Sequence, residues 1–473
     1  MRLVRSALLV LVALSSACQA GPPPAGRAAN PKPPKLVVAI LVDGLGMHQV
    51  AKYWPQYGEG GFKRLLEEGA WCEDARYGHS TTITAVGHGT WLTGAYPYRH
   101  GMISNDWYDR KTKKIVYCTE DADHHNLGEP TRKGGGTSPK NLPVTTVGDE
   151  LRVATDMKSR VFTVSMKDRG AILPAGHLGV PYFYSTATGR FISTDFYLEE
   201  FPTWWSDFHR AKPQDRWFGR EWTPLYDDRR YDGAWDEQAE RTNSNGLGKE
   251  FPHKLSGSKG KLDASYYAAM EGSPYGHEYC AEFSKALITH EQLGKNPDGV
   301  PDLFALSFSS HDLINHTFGP ESTESQDDLL RLDRVLADFF KFLDGWVGLD
   351  NTLITLTADH GFSYSPDYWK EVLKADAFKI DAEGLVKKLN EHLGTTFGLG
   401  TYATAWKLPT IWLDYDLIDE RKHSRAEVER AAAEFLAAQP GITSVFTRTQ
   451  LSQGLVPRTR LGQAVSRSWN SRI

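Results

Sequence analysis

Leu36-Val37-Val38-Ala39-Ile40-Leu41-Val42-Asp43-Gly44 is an unbroken apolar run closed by an acid and a glycine. It is too short for an ordinary helix and rich in β-branched residues. That predicts a strand buried on both faces, as in a parallel sheet. Val161–Ser165, Leu303–Phe308 and Thr352–Thr357 read the same way, with Thr410–Leu413 a fifth. Helical patterns lie between them. In Ser325–Gly345, Leu329, Leu332, Leu336, Phe339 and Leu343 fall at helical steps, and Thr323 with Gln326 is spaced for a capping box. Strands alternating with helices predict an α/β fold, a largely parallel central sheet flanked by helices.

The 473 residues carry 54 basic and 59 acidic side chains, a net charge of −5. This excludes a strongly basic nucleic-acid binder, and no long like-charge block marks a tail protein. Residues 181–273 differ from the rest in their aromatics, including Tyr182, Phe183, Tyr184, Trp204, Trp205, Trp217, Trp222 and Trp235. They read as a cap inserted over the sheet, with the aromatics as packing residues.

Met1–Ala20 has Arg2 and Arg5 before a short apolar run and then small residues, the pattern of an export signal. Cys18 after Ser15-Ser16-Ala17 resembles a lipoprotein cleavage site; ordinary cleavage after Ala17 or Ala20 is the alternative. Residues 21–35 are a Pro-rich tether, and 36–473 the main folded domain. No later segment is apolar for long enough to span a bilayer. The expected location is exported: periplasmic, or at the cell surface as a lipoprotein. Export permits disulfides. Cys72, Cys118 and Cys280 leave one disulfide plus a free thiol, with Cys72–Cys118 the expected pair.

In open parallel sheets, ligands bind beyond the carboxyl ends of the strands. Those ends here deliver Asp43-Gly44, Met166-Lys167-Asp168-Arg169, His311-Asp312 with His316, and Asp359-His360-Gly361. Mixed carboxylate and imidazole is the ligand set of catalytic divalent metals. Asp312 and His316, at i and i+4, share one helix face. Each acid or imidazole alone is more simply a cap or loop residue; their joint arrival at one sheet edge favours a metal site. His79–His88 enters a predicted helix at Thr84–Thr93. A hydroxyl at that N-terminus is a candidate nucleophile beside an anion site, or an N-cap. Gly44-Leu45-Gly46 lacks the third glycine of a dinucleotide loop and reads as a turn. Asp121–His125 reads as a polar surface loop.

Together these residues resemble the alkaline phosphatase superfamily, in its threonine-nucleophile bacterial branch related to nucleotide pyrophosphatase/phosphodiesterases. The resemblance rests on Val42-Asp43-Gly44, Thr82–His88, His100-Gly101 with Asn105-Asp106-Trp107, Lys167–His177, Ser307–Asp312, His316–Pro320 and Ala358–Gly361. It implies an alkaline-phosphatase-like core and a phosphate monoesterase acting on small phosphorylated substrates through a phosphothreonine on Thr84, with two Zn²⁺. Asp43, Asp359 and His360 match the ligands of the zinc that meets Thr84. Asp312 and His316 match two ligands of the second. Asn105, Lys167 and Arg169 match the groups that hold phosphoryl oxygens. His88 and His177 are expected to pack or hydrogen-bond. Lys167 and the planar fork of Arg169 suit the extra anionic oxygen of a monoester, against the alternative of a phosphodiesterase or nucleotide pyrophosphatase. A sulfatase-like enzyme on the same fold needs a Cys or Ser where Thr84 stands.

One departure stands out. The family supplies a third ligand to the second zinc, a His-Gly near the C-terminus. Here only His392 and His423 follow His360, and neither precedes Gly. The expectation is a missing C-terminal segment, or a short form that binds phosphate without turning it over.

Overall fold

The computed structural model describes residues 32–130, 135–226, 229–237 and 245–472. The export signal, Cys18 and most of the tether lie outside these residues. Among them, no helix is long and apolar enough to cross a membrane.

The apolar runs assemble into a seven-stranded sheet. Its strands are β1 (Leu36–Val42), β2 (Asn126–Leu127), β3 (Val161–Ser165), β4 (Val180–Ser185), β5 (Arg190–Thr194), β6 (Asp302–Phe308) and β7 (Thr352–Thr357), in the order β7-β1-β6-β3-β4-β5-β2. The strands from β7 to β4 run parallel; β5 pairs antiparallel with both β4 and β2. The register sets Val42 beside Phe308, Leu41 beside Thr357 and Ser307 beside Ser165, so β7, β1, β6 and β3 end level. Whatever follows each of them arrives at one edge. Every residue of β6 is buried, which explains its mostly apolar text.

β7 is an edge strand, its residues alternating between half-buried and exposed, with Leu353 51% exposed. The sequence predicts a strand buried on both faces. Only the β1 side of β7 is paired, so the structure corrects the burial but not the strand.

Four helices position the site: α1 (Thr84–Thr93), α2 (Asp168–Ala175), α3 (Ser310–Phe318) and α4 (Thr323–Trp346). In α4 the predicted stripe of Leu329, Leu332, Leu336, Phe339 and Leu343 is fully buried. Its N-cap is Ser322, whose hydroxyl accepts from Ser325 N, in place of the Thr323–Gln326 box.

Three other expectations are corrected. The stretch expected to open the cap is sheet, because Val180–Ser185 and Arg190–Thr194 are β4 and β5. Thr410–Leu413 is a strand, but it pairs antiparallel with Ala403–Lys407 in a hairpin outside the main sheet. Cys72 is exposed while Cys118 is buried beside Trp107, and both are free thiols, as is Cys280. The aromatics pack as expected. Phe201 stacks on Trp205 at 3.9 Å and Phe191 on Phe283 at 4.4 Å, inside the main core.

Candidate active site and metal centre

Each residue after a parallel strand turns into the same cleft. Asp43 follows β1 and is fully buried. Gly44 then takes φ +75°, which L side chains avoid, and a Cβ there would press on Asp312 at 3.1–3.3 Å. This lets α3 approach. Gly44 N donates to Asp359 Oδ1 at 3.0 Å, and His360 N donates to the same oxygen at 2.9 Å. Those bonds leave Asp359 Oδ2 facing the cleft. His360 Nδ1 lies 2.8 Å from Gly361 O, so it carries the proton, and Nε2 offers its lone pair 3.5 Å from both Asp43 Oδ1 and Asp359 Oδ2. On α3, His316 Nε2 lies 3.5 Å from Asp312 Oδ1, one turn away.

Asp43 Oδ1 and Asp312 Oδ1 are buried and accept no hydrogen bond among the described residues, and Asp359 Oδ2 has His88 Nδ1 beside it at 3.1 Å. A buried unpaired polar group costs about 1–3 kcal/mol, more when charged, so bare carboxylate oxygens at Asp43 and Asp312 call for a cation to meet them. Donor atoms of Asp43, Asp312 and His360 all fall within 4.8 Å of one another. The electrostatics agree. Burial draws the His360 pKa down, but Asp359, Asp43 and Asp312 outweigh it and lift it above the ordinary histidine value. Burial likewise lowers Lys167, and Asp312 with Asp43 outweigh it. Burial pushes Asp359 up, yet His360 and His88 hold it down at about 2. The site attracts positive charge, and its donors fit divalent ions.

Thr84 opens α1 and is 4% exposed; Ile83 is the N-cap, so the capping alternative for Thr84 falls away. Ala85 N donates to Asn105 Oδ1 at 2.9 Å, which ties Asn105 to the first turn of α1 and leaves its amide N–H₂ out of that bond. Lys167, the N-cap of α2, reaches into the carboxylates: its Nζ lies 2.8 Å from Asp43 Oδ2 and 2.5 Å from Asp312 Oδ2. Sequence reading sets it over phosphoryl oxygens only. Here it also ties the two carboxylates together.

Arg169 Nη1 donates to Tyr117 Oη at 2.9 Å, and Tyr117 donates on to Asp168 Oδ1 at 2.6 Å. Thr119 holds the other Asp168 oxygen at 2.7 Å. Arg169 Nε is buried without a partner. This support from Tyr117, Thr119 and Asp168 carried no sequence signal, because it joins a hairpin to a strand end far along the chain. Glu271 was also missed. Burial pushes its carboxyl up to about 7, although Lys167 and Arg169 pull the other way.

The two histidines that follow His360 in the chain lie apart from the cluster. His392 stacks on Phe435 at 4.8 Å, and His423 Nε2 lies 3.0 Å from Phe397 O. In the Asp121–His125 loop, Lys140 bridges Asp121 and Asp123 at 2.9 and 2.8 Å, and Asp121 is buried, which corrects its reading as simple surface.

A family model for type I phosphodiesterase / nucleotide pyrophosphatase matches residues 37–463. The chain is 35% identical to alkaline phosphatase PhoV of Synechococcus elongatus over 428 residues, 90% of this chain and 76% of that protein. It is 33% identical to alkaline phosphatase PafA of Elizabethkingia meningoseptica over 431 residues, 90% of this chain and 77% of that one. A crystal structure of wild-type alkaline phosphatase PafA superposes with a TM-score of 0.85 at 31% identity, covering 93% of this chain and 84% of that one.

Proposed function

Since the chain belongs to the type I phosphodiesterase / nucleotide pyrophosphatase family, within the alkaline phosphatase superfamily, we propose that it is a metal-dependent phosphate monoesterase that acts through Thr84. The observation that carries this reading is the meeting of the buried Asp43, Asp312 and Asp359 carboxylates, two of them with an unpartnered oxygen, with His360 and His316. Asp43, Asp359 and His360 would hold one ion, and Asp312 and His316 the other. The mixed carboxylate–imidazole set favours zinc. Two such ions supply Lewis acidity to the two sides of an in-line displacement.

The chain's own groups do the rest. The Thr84 hydroxyl attacks phosphorus, the bond to the leaving oxygen breaks, and the phosphoryl group stays on Thr84 until water displaces it. The backbone N–H groups and dipole of α1 favour the anionic nucleophile and phosphate. Asn105 Nδ2, Lys167 and Arg169 would bind the non-bridging oxygens as their charge develops. Two full cations suit the dianion of a monoester better than a diester, whose second organic group they would leave unanswered. The Met1–Ala20 signal reading supports export, where such an enzyme would meet small phosphorylated substrates. The test compares p-nitrophenyl phosphate with bis-p-nitrophenyl phosphate on the zinc-loaded enzyme. The monoester is expected to have the larger kcat/KM, and a large preference for the diester overturns the proposal.

A further inference from the structure

His88 lies inside the site's frame and has no part in the chemistry above. It is fully buried, one turn into α1. Its Nδ1 lies 2.9 Å from the carbonyl oxygen of Thr84 and 3.1 Å from Asp359 Oδ2; its Nε2 lies 2.8 Å from Ser307 Oγ. Two acceptors facing Nδ1 make it the protonated nitrogen, with the bond directed at the Thr84 carbonyl and the carboxylate beside it. Nε2 then accepts from the Ser307 hydroxyl. Donor atoms of His88, Asp43 and Asp359 fall within 4.8 Å of one another, a grouping that on distance alone would make His88 a ligand. The proton on Nδ1 forbids that, because a ligand nitrogen must present a lone pair.

We infer that His88 is a positioning residue that links the backbone of the nucleophile to the carboxylate of a metal ligand, using Ser307 at the end of β6 as its anchor. Two features make the linkage rigid. Gly87 carries no side chain where α1 meets Asp359, and Gly170 carries none where α2 meets Ser165 and His88. The imidazole is thus held from three sides, and in turn sets how far Thr84 stands from the ion that Asp359 would bind. Hydrogen-bonding partners of metal ligands typically matter at the 10–100-fold level.

This inference rests on the proposed function, so its test carries a readout that does not depend on turnover: zinc affinity, from competition against a chromogenic chelator with zinc alone. In His88→Ala, zinc affinity and kcat are each expected to fall about 10–100-fold with KM within a few-fold of wild type. His88→Asn, whose Nδ2 can stand where Nδ1 stood, should recover most of both; His88→Gln, which reaches instead toward Ser307, should not. Unchanged zinc affinity and kcat in His88→Ala overturn the inference, as does an Asn variant no better than Ala. If His88→Ala does not fold, Ser307→Ala replaces it: a several-fold loss of zinc affinity supports the linkage, and no loss overturns it. A wild-type protein that binds zinc without hydrolysing p-nitrophenyl phosphate refutes the proposed function while leaving the affinity arm to judge His88.

Discussion

Gly87 of α1 and Asp359 of the turn after β7 meet with no room for a side chain between them: a Cβ on Gly87 would collide with the carbonyl oxygen and Cβ of Asp359. Backbone cannot swing aside as a flexible side chain can. Gly87→Ala is therefore expected to lower the unfolding free energy by about 1–3 kcal/mol, the range for overpacking, and to lower kcat by moving Thr84 away from Asp359. Thermal unfolding and steady-state kinetics read the two effects. An Ala variant as stable and active as wild type would mean that the two elements separate at no cost.

Thr84→Ala removes the only hydroxyl that opens α1, and kcat for p-nitrophenyl phosphate should fall by about 10³-fold or more, as for loss of a nucleophile. Thr84→Ser keeps the oxygen and should retain measurable turnover. Acid quench during turnover should trap phosphate on wild type and on the Ser variant, but not on Ala.

On the proposed reading, Lys167 and Arg169 would carry the monoester preference through charge. Replacing both with Ala should lower kcat/KM for the monoester by about 10²–10³-fold, two charge-assisted contacts' worth, while the diester falls by less than about tenfold. Equal losses on both substrates would assign the pair to holding Asp43 and Asp312 together instead.

Metal removal should be stepwise. Asp43, Asp359 and His360 offer three donors to one ion, whereas Asp312 and His316 offer two to the other, and the His316 side chain is 65% exposed. Chelator titration followed by metal analysis is expected to release the Asp312/His316 ion first, with activity lost at that step and regained on adding zinc back.

Acid should destabilise the fold from about pH 6.5 downward. Burial, reinforced by His79, holds His100 down at about 3, and burial with Arg190 nearby does the same to His209. The unfolded chain protonates these rings near their ordinary value of about 6.5 while the folded chain does not. Stability is thus full above that pH and falls as pH drops toward 3, by about 1.4 kcal/mol per pH unit for each ring. His209 packs against Trp205, Phe208 and Phe283. His209→Phe should remove one proton from the pH dependence of urea unfolding between pH 6.5 and 5.

The strand ends were legible because a strand buried on both faces must be apolar throughout, which makes the first polar residue after it conspicuous. Asp43 stands out in that way, whereas Asp359 follows an exposed edge strand and is marked by the His360-Gly361 beside it. Lys167's bridge between Asp43 and Asp312 was not legible, since a side chain's reach depends on how deep in the sheet its strand ends. β4 and β5 were taken for cap because aromatic strands at the turn of a sheet look like an aromatic insertion. The expected Cys72–Cys118 bond failed for a similar reason: spacing says nothing of direction, and Cys118 turns inward to Trp107. Gly87 and Tyr117 are silent in the text because their work is done against residues far along the chain, Asp359 for Gly87 and the Asp168–Arg169 pair of α2 for Tyr117.

β1 is flanked by β6 on one side and β7 on the other, and the bond from Gly44 to Asp359 joins residues 315 positions apart. The first strand to leave the ribosome thus has no neighbour in its own sheet until residues 302–357 exist. Loop closure over such spans comes before any reward from pairing, which makes this a slow-folding topology of high contact order. Asp43 and Asp359 cannot meet in a partly made chain. Any ion that these two carboxylates hold together would therefore be captured among the last events of folding, after the sheet has closed.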